Sequence, residues 1–565
     1  MDVTTLVGRR AEDRWNRVCV GDLLERNVWG RPDQEAVVGA PGAYTEERFA
    51  RLTYREANTV ADQVAQGLLA AGLGRGDRVL LVCENSVEAF LVKIATAKAG
   101  LVVVPVNPAL APDVVEHLVA LVEPSLAVVD DELAERVLPV LTAAGVRVAV
   151  TLTVTGGALV DGSVGFGAFA DAYPALEPDV RVHGDDIWEI LFTSGTTALP
   201  KGVMLSHSGG TFGAHGFGLS LTRGVEAEED VRVLTYLPIV YHVGDQCFTL
   251  SPLAAGGTVI IGRRPDPVRI AESIAAERPS AVWGGSPQLV KGFVAALESL
   301  DADASSLRVV VYGWGALEPA VLEGLKRRAG DRVRAMGIFG QTEAIACHRF
   351  WPDRWEETYR RTAPAVNYVG VPHPLLASMV ADTDGHDLVG EPGVAGEAVY
   401  RSPVVAHGYY RDEAATREAF RDGWFHSGDS CAYDADGLRV MVDRYKDIIK
   451  SGGENVSSQR VESVLHQHPA IAQAAVVGLP HERWGEAVTA VVVPSSGSGV
   501  DSEEVLAFAR ERLAGFETPK RIVVTDALPT TVGGKVLKYK LRAAHAGLFD
   551  APAHAASSPG PLPPV

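Results

Sequence analysis

The stretch LFTSGTTALPKGVMLSH, residues 191–207, sets hydroxyls, glycines and one lysine between two apolar runs. Ile187–Phe192 is strand-like; Thr193, Ser194, Gly195, Thr196 and Thr197 then offer side-chain and backbone donors, and Lys201 adds a positive charge. Successive N–H groups in a glycine-bearing turn form an anion nest, to which Ser and Thr hydroxyls add further donors. The simplest object for such a cradle is a polyphosphate. The common P-loop G-x-x-x-x-G-K-[ST] is absent, because Gly195 and Gly202 are wrongly spaced and Lys201 precedes its glycine. A plain polar surface loop shares the composition but not the whole word TSGTTALPKGV.

Other residues could act on the same ligand. Glu343, in GIFGQTEA, is a hard oxygen donor suited to Mg²⁺ beside phosphates, and Thr342 adds a hydroxyl; the pair is equally a helix-start device. Asp429, in HSGD, is acceptor-only when ionised and suits two ribose hydroxyls or a turn. Arg444 is a delocalised cation suited to an anionic ligand or a surface ion pair. Lys535 sits between a glycine pair and Val536, an odd place in a plain strand. Lys538 and Lys540 read as solvated side chains.

The frame for these residues follows from periodicity. DRVLLVCEN (77–85), LVVVPVNP (101–108) and PSLAVVD (124–130) read as buried strands, with a helix over 86–100 ending at Gly100. The rhythm continues through AAGGTVIIG, PSAVWGGSP and LRVVVYGWG. It predicts an α/β fold: a large N-terminal domain of layered β-sheets and helices, with a small α+β C-terminal domain, which the resemblance given below implies is mobile. At 565 residues more than one domain is expected. The expected boundaries are an extension over 1–20, the large domain over 21–443, a hinge at 444–446, the small domain over 447–545, and a Pro/Ala/Ser-rich tail over 546–565.

A net charge of −19 argues against a nucleic-acid partner. Five scattered cysteines without a C-x-x-C pair fit reduced thiols in the cytoplasm. No apolar run of membrane-spanning length is present. A monomer or homodimer is expected.

TSGTTALPKGV closely resembles the signature of the adenylate-forming superfamily, which includes acyl-CoA synthetases, luciferase and peptide-synthetase adenylation domains. AKAGLVVVPVNP, GIFGQTEA, GEAVYRSPVVAHGYY, GWFHSGD, VDRYKDIIKSGGENV and LPTTVGGKVLKYKLR are similar to further family words, in the family's order, over roughly Leu52 to Arg542. The resemblance implies ATP, Mg²⁺ and, as acceptor, CoA. It implies nucleotide binding by Thr193, Ser194, Gly195, Thr196, Thr197, Lys201, Gly340, Gln341, Asp429 and Arg444, and a metal held at Glu343 and Thr196. It implies catalysis by Thr342, Glu343 and Lys535, the last bridging carboxylate and α-phosphate. Lys446 falls at the family's pivot, and Lys450, Gly452 and Gly453 form the turn that meets the acceptor. A small carboxylic acid would become an acyl-adenylate with loss of pyrophosphate, then a thioester.

The acid pocket is expected from Tyr241, His242, Asp245, Gly313, Trp314, Gly315 and Phe339. Three positions depart from the family's spelling: Ala198 replaces a glycine, one extra residue separates Pro238 from Tyr241-His242, and Trp314 stands where a small residue is usual. A Trp there would shorten or flatten the pocket toward an aryl or short acid. Asp245 suits either an amino or hydroxyl group on the acid or a solvent-facing loop. CoA is the expected acceptor; the alternative is a nitrogen acceptor, an amine or nitrite. A non-catalytic binding protein of the same fold is disfavoured by the intact Lys535, Glu343, Asp429 and Lys201.

Overall fold

The computed structural model describes residues 18–108, 110, 112–193, 200–222, 231–364, 366–444, 447–451, 454–495, 499–530 and 536–549. Among the described residues the strands form sheets of fourteen, seven and five members. In the seven-stranded sheet Arg78–Val82, Val102–Val106, Leu126–Asp130 and Ile187–Phe192 run parallel. These are the apolar runs of the sequence, buried on both faces as parallel strands must be. The helix Val87–Lys98 packs between layers; its N-cap Ser86 accepts the Ala89 N–H, and all its residues are buried.

The fourteen-stranded sheet changes character along its width. Thr258–Ile261, Arg232–Thr235, Ala281–Trp283, Val309–Tyr312 and Arg334–Gln341 are parallel neighbours. Arg334–Gln341 then turns back antiparallel into Ala344–Phe350, and the sheet continues antiparallel through Asn367–Pro372, Arg439–Arg444 and Trp424–Tyr433. Thr342 and Glu343 occupy that hairpin turn; they do not start a helix, because the chain reverses in two residues and pairs with itself.

The five-stranded sheet holds Ile449–Ser451, Glu454–Val456, Ile471–His481, Gly485–Pro494 and Arg521–Val524, covered by the helices Ser458–Leu465 and Ser502–Arg510. The chain passes from the large sheet to this one between Arg444 and Ile449. The five cysteines are buried and form no disulfide. Among the described residues no helix is long and apolar enough to cross a membrane.

The helix His207–Thr222 reads HSGGTFGAHGFGLSLT and carries five glycines. Packing explains two of them. A Cβ on Gly213 would stand 2.3 Å from the Gln246 amide, and one on Gly216 would stand 2.2 Å from the His373 ring.

Under this layer lies a buried ion cluster. The Lys93 ammonium contacts Glu189 at 2.5 Å and Asp245 at 2.9 Å, and all three side chains are at most 1% exposed. Lys93 also donates to the Ile239 carbonyl at 3.0 Å. Asp245 is therefore neither solvent-facing nor in a loop: it sits in the π-helical turn Val243–Leu250, spent on a lysine. Two carboxylates share one cation, so burial and then Asp245 hold the Glu189 carboxyl well above the usual range. Replacing Lys93 by Met strands both acids in the interior. The unfolding free energy from urea denaturation should fall by about 3–5 kcal/mol.

Candidate active site

The site grows from the ends of four elements. The strand Ile187–Phe192 delivers Thr193, and the strand Gly202–Ser206 begins just after Lys201. The two residues close a neck: the Thr193 N–H donates to the Lys201 carbonyl at 3.0 Å, and the Lys201 N–H to Thr193 Oγ1 at 3.1 Å. Ser194, Gly195, Thr196 and Thr197 lie between them, outside the described residues, as do Lys446, Gly452, Gly453 and Lys535.

Gly202–Ser206 pairs on its outer edge with residues 407–410. The Met204 N–H donates to the Gly408 carbonyl, the His407 N–H to the Met204 carbonyl, and the Tyr410 N–H to the Gly202 carbonyl. Tyr409 is thereby fixed in place. The Lys201 ammonium stands 4.8 Å from the centre of its ring, and its hydroxyl donates to Glu343 Oε1 at 2.7 Å. Glu343 is 7% exposed, and its carbonyl accepts the Ala406 N–H at 2.8 Å. Lys201 and Glu343, 142 positions apart in sequence, thus meet at one tyrosine, Lys201 over its ring and Glu343 at its hydroxyl. Tyr409 is the residue that the motif reading missed; it lies in the quoted AHGYY word, but no spacing rule marks it.

The His242 ring binds the same turn. Its Nδ1–H donates to the Thr342 carbonyl at 2.7 Å, which fixes the tautomer. Burial pushes the ring's pKa down to about 4. Tyr241 is half-buried and its hydroxyl accepts Asn107 Nδ2 at 2.9 Å. His242 supports the turn and Tyr241 reaches toward the early VVVPVNP strand. Phe339 is half-buried and Gly340 exposed at the end of the Arg334–Gln341 strand. Gln341 Nε2 donates to the Ser427 carbonyl at 3.4 Å, joining this end to the HSGD strand.

Asp429 and Arg444 are register partners on Trp424–Tyr433 and Arg439–Arg444. Asp429 Oδ1 meets Arg444 Nε at 2.9 Å; Asp429 is 1% exposed and the Arg444 side chain 27%. The Asp429 charge, more than any other influence, raises the Arg444 pKa above its ordinary value. Lys450 is exposed on Ile449–Ser451, which pairs antiparallel with Glu454–Val456.

At the C-terminal end of Val309–Tyr312, Gly313 is buried and Gly315 half-buried around Trp314. Trp314 holds φ +64°, a left-handed backbone that costs a side-chain residue about 1–2 kcal/mol. The residue is 44% exposed, and its ring lies 5.5 Å from that of Trp283, which stacks on Phe248 at 4.7 Å and 7°. Phe217 meets Phe248 edge-on. Phe217 and Phe248 are not among the motif residues, and no periodicity points to their stack with Trp283.

This geometry agrees with comparison to known proteins. Residues 24–410 match the model of the AMP-binding enzyme family, and residues 460–535 that of the AMP-binding enzyme C-terminal domain. A feruloyl-CoA synthase from Amycolatopsis sp is 36% identical over 492 residues, covering 87% of this chain and 93% of the relative. The ATP-bound structure of MatB from Rhodopseudomonas palustris superposes with a TM-score of 0.79 at 28% identity, covering 94% of this chain and 99% of that one. The amide bond synthetase McbA from Marinactinospora thermotolerans superposes with a TM-score of 0.77 at 27% identity, covering 93% and 99%. The chain belongs to the AMP-binding enzyme family, the adenylate-forming superfamily. It is an AMP-forming acid–thiol ligase: it activates a carboxylic acid with ATP and transfers it to CoA.

Two outcomes are expected of the turn. A free histidine takes up its proton near pH 6.5 but buried His242 only near 4, so folding stability declines as pH falls from 6.5 toward 4. The His242→Gln variant should lose that share of the slope, with urea midpoints at pH 5 and 7 closer together than in the parent. Glu343→Gln should lower kcat/KM for ATP by at least about a hundredfold in a pyrophosphate-release assay, whereas Tyr409→Phe should cost less than about tenfold.

Proposed function

We propose that the acid activated by this ligase is a small aryl carboxylic acid. The observation that carries this reading is the aromatic ladder from Trp314 through Trp283 to Phe248, capped by a half-exposed Trp held in a left-handed conformation. An aryl ring would face Trp314 with Tyr241, His242, Gly313, Gly315 and Phe339 around it; an extended alkyl chain would meet the Trp ring end-on. The feruloyl-CoA synthase relative, named for an aromatic acid, supports the same class. Asp245 is committed to Lys93, so we leave it out of the pocket.

In this reading the chain's residues divide the work as follows. Thr193, Ser194, Gly195, Thr196, Thr197 and Lys201 cradle the phosphates, with Gly340 and Gln341 alongside. Thr342 and Glu343 face the phosphates. The buried hard oxygens of Glu343, anchored by Tyr409, fit a Mg²⁺ ion, with Thr196 as the second proposed ligand; when bound, the ion offsets phosphate charge. Asp429 accepts the ribose hydroxyls and Arg444 neutralises it. An oxygen of the acid attacks the α-phosphorus, the bond to the β-phosphate oxygen breaks, and Lys535 stabilises charge on both partners. The small domain, residues 447–545, then pivots at 444–446, about Lys446. The turn of Lys450, Gly452 and Gly453 meets the CoA thiol, whose sulfur attacks the acyl carbon and expels AMP.

The test is a panel of benzoates, cinnamates and fatty acids incubated with ATP and Mg²⁺, followed by CoA, an amine or nitrite, with products identified by mass. Aryl-CoA thioesters are expected. Preferred turnover of palmitate would overturn the aryl reading, and an amide or diazo product without thioester would overturn CoA as acceptor. Trp314→Gly should shift the kcat/KM ratio of octanoate to benzoate upward by about tenfold, the order of one or two methylenes' worth of pocket discrimination.

A further inference from the structure

Lys538 contradicts the solvated reading of its sequence position. It opens the helix Lys538–Ala544, and its side chain is only 13% exposed. A cation in a first helical turn works against the helix dipole, so helix stability does not explain it. Its ammonium reaches Glu462 Oε1 at 2.9 Å and Ser458 Oγ at 2.5 Å. Ser458 passes the contact on: its N–H and O–H both donate to Asp443 Oδ2, at 2.7 and 2.6 Å. Asp443 Oδ1 accepts the Arg444 N–H at 2.7 Å, and Arg444 holds Asp429. A hydrogen-bonded path therefore runs from the small domain, across the start of the proposed pivot, to the proposed ribose carboxylate. Burial disfavours charge on Lys538, yet Glu462 and Asp443 outweigh it and keep the pKa above the ordinary lysine value.

The other end of the path is equally defined. Thr530 bridges Val536, and the Leu537 N–H donates to the Pro529 carbonyl at 2.8 Å. The residues that flank the Lys535 segment are thus paired with each other, and Lys538 stands two residues beyond Val536. We propose that Lys538 is a positioning residue for adenylation: it ties the base of the Lys535 segment to Ser458, Glu462 and Asp443 and so sets that segment's register against the Asp429–Arg444 pair. The proposal rests on Lys535 being the adenylation lysine.

The experiment compares full-length parent, Lys538→Met, Lys538→Arg and Lys535→Ala in two assays. One is acid-dependent exchange of labelled pyrophosphate into ATP. The other is thioester formation from a synthetic aryl-adenylate and CoA, a step that does not use Lys535. Lys538→Met should lose at least about tenfold in exchange while keeping transfer within about twofold, and Lys538→Arg should recover most of the exchange. Unchanged exchange in Lys538→Met, or parallel loss of both half-reactions with a lowered thermal midpoint, would overturn the proposal. If Lys535→Ala exchanges like the parent, the reading of Lys535 itself has failed, and the positioning role falls with it.

Discussion

A carboxylate leaves water only where donors receive it. Glu343 is received by the Tyr409 hydroxyl, and its backbone by the Ala406 N–H. Both donors sit on a segment that is in place because it pairs with Gly202–Ser206, the strand that follows Lys201. The burial of one acid therefore couples the proposed phosphate loop to the turn where the large sheet reverses. His242 holds the same turn at the Thr342 carbonyl, and the Gln341 amide ties it to the strand that bears Asp429. Groups from four distant parts of the chain become neighbours through a two-residue reversal.

Much of this was legible in the sequence, for identifiable reasons. Buried parallel strands must be apolar on both faces, so VLLV, VVVPV and LAVVD stand out as runs, and Ser86 announces the helix it caps. The passage to a second domain showed as a renewed helix–strand alternation after residue 443. The site words were readable because local chemistry is dense in them. Partnerships were not. Lys93 and Asp245 lie 152 positions apart, and nothing in either neighbourhood names the other. Thr342-Glu343 has the composition of a helix start, but strand pairing on both sides overrides that propensity. Lys538 looks solvated because its acidic partner sits on a helix 76 positions earlier. The left-handed backbone of Trp314 has no signature, since Trp is the residue least expected there.

Buried charge is arranged in two ways in this chain. Lys93 with Glu189 and Asp245 is a closed set, each acid meeting the one ammonium. Along the chain between Asp429 and Lys538 the ions instead form an open series, each member shared with the next. A closed set resists any displacement, whereas a series can be undone at one link. The open series lies where the proposed pivot would have to break it.

The glycine-rich helix His207–Thr222 closes the account. Five glycines in sixteen residues cost an isolated helix roughly 4–5 kcal/mol relative to alanine, so this segment has little tendency to coil on its own. Its shape is borrowed from Gln246, His373 and the sheet beneath. The helix follows directly on Gly202–Ser206, so a ligand held at Lys201, at the start of that strand, also reinforces the docking of the helix. Occupancy by nucleotide would then register, as protection of backbone amides from solvent exchange, well beyond the atoms it touches.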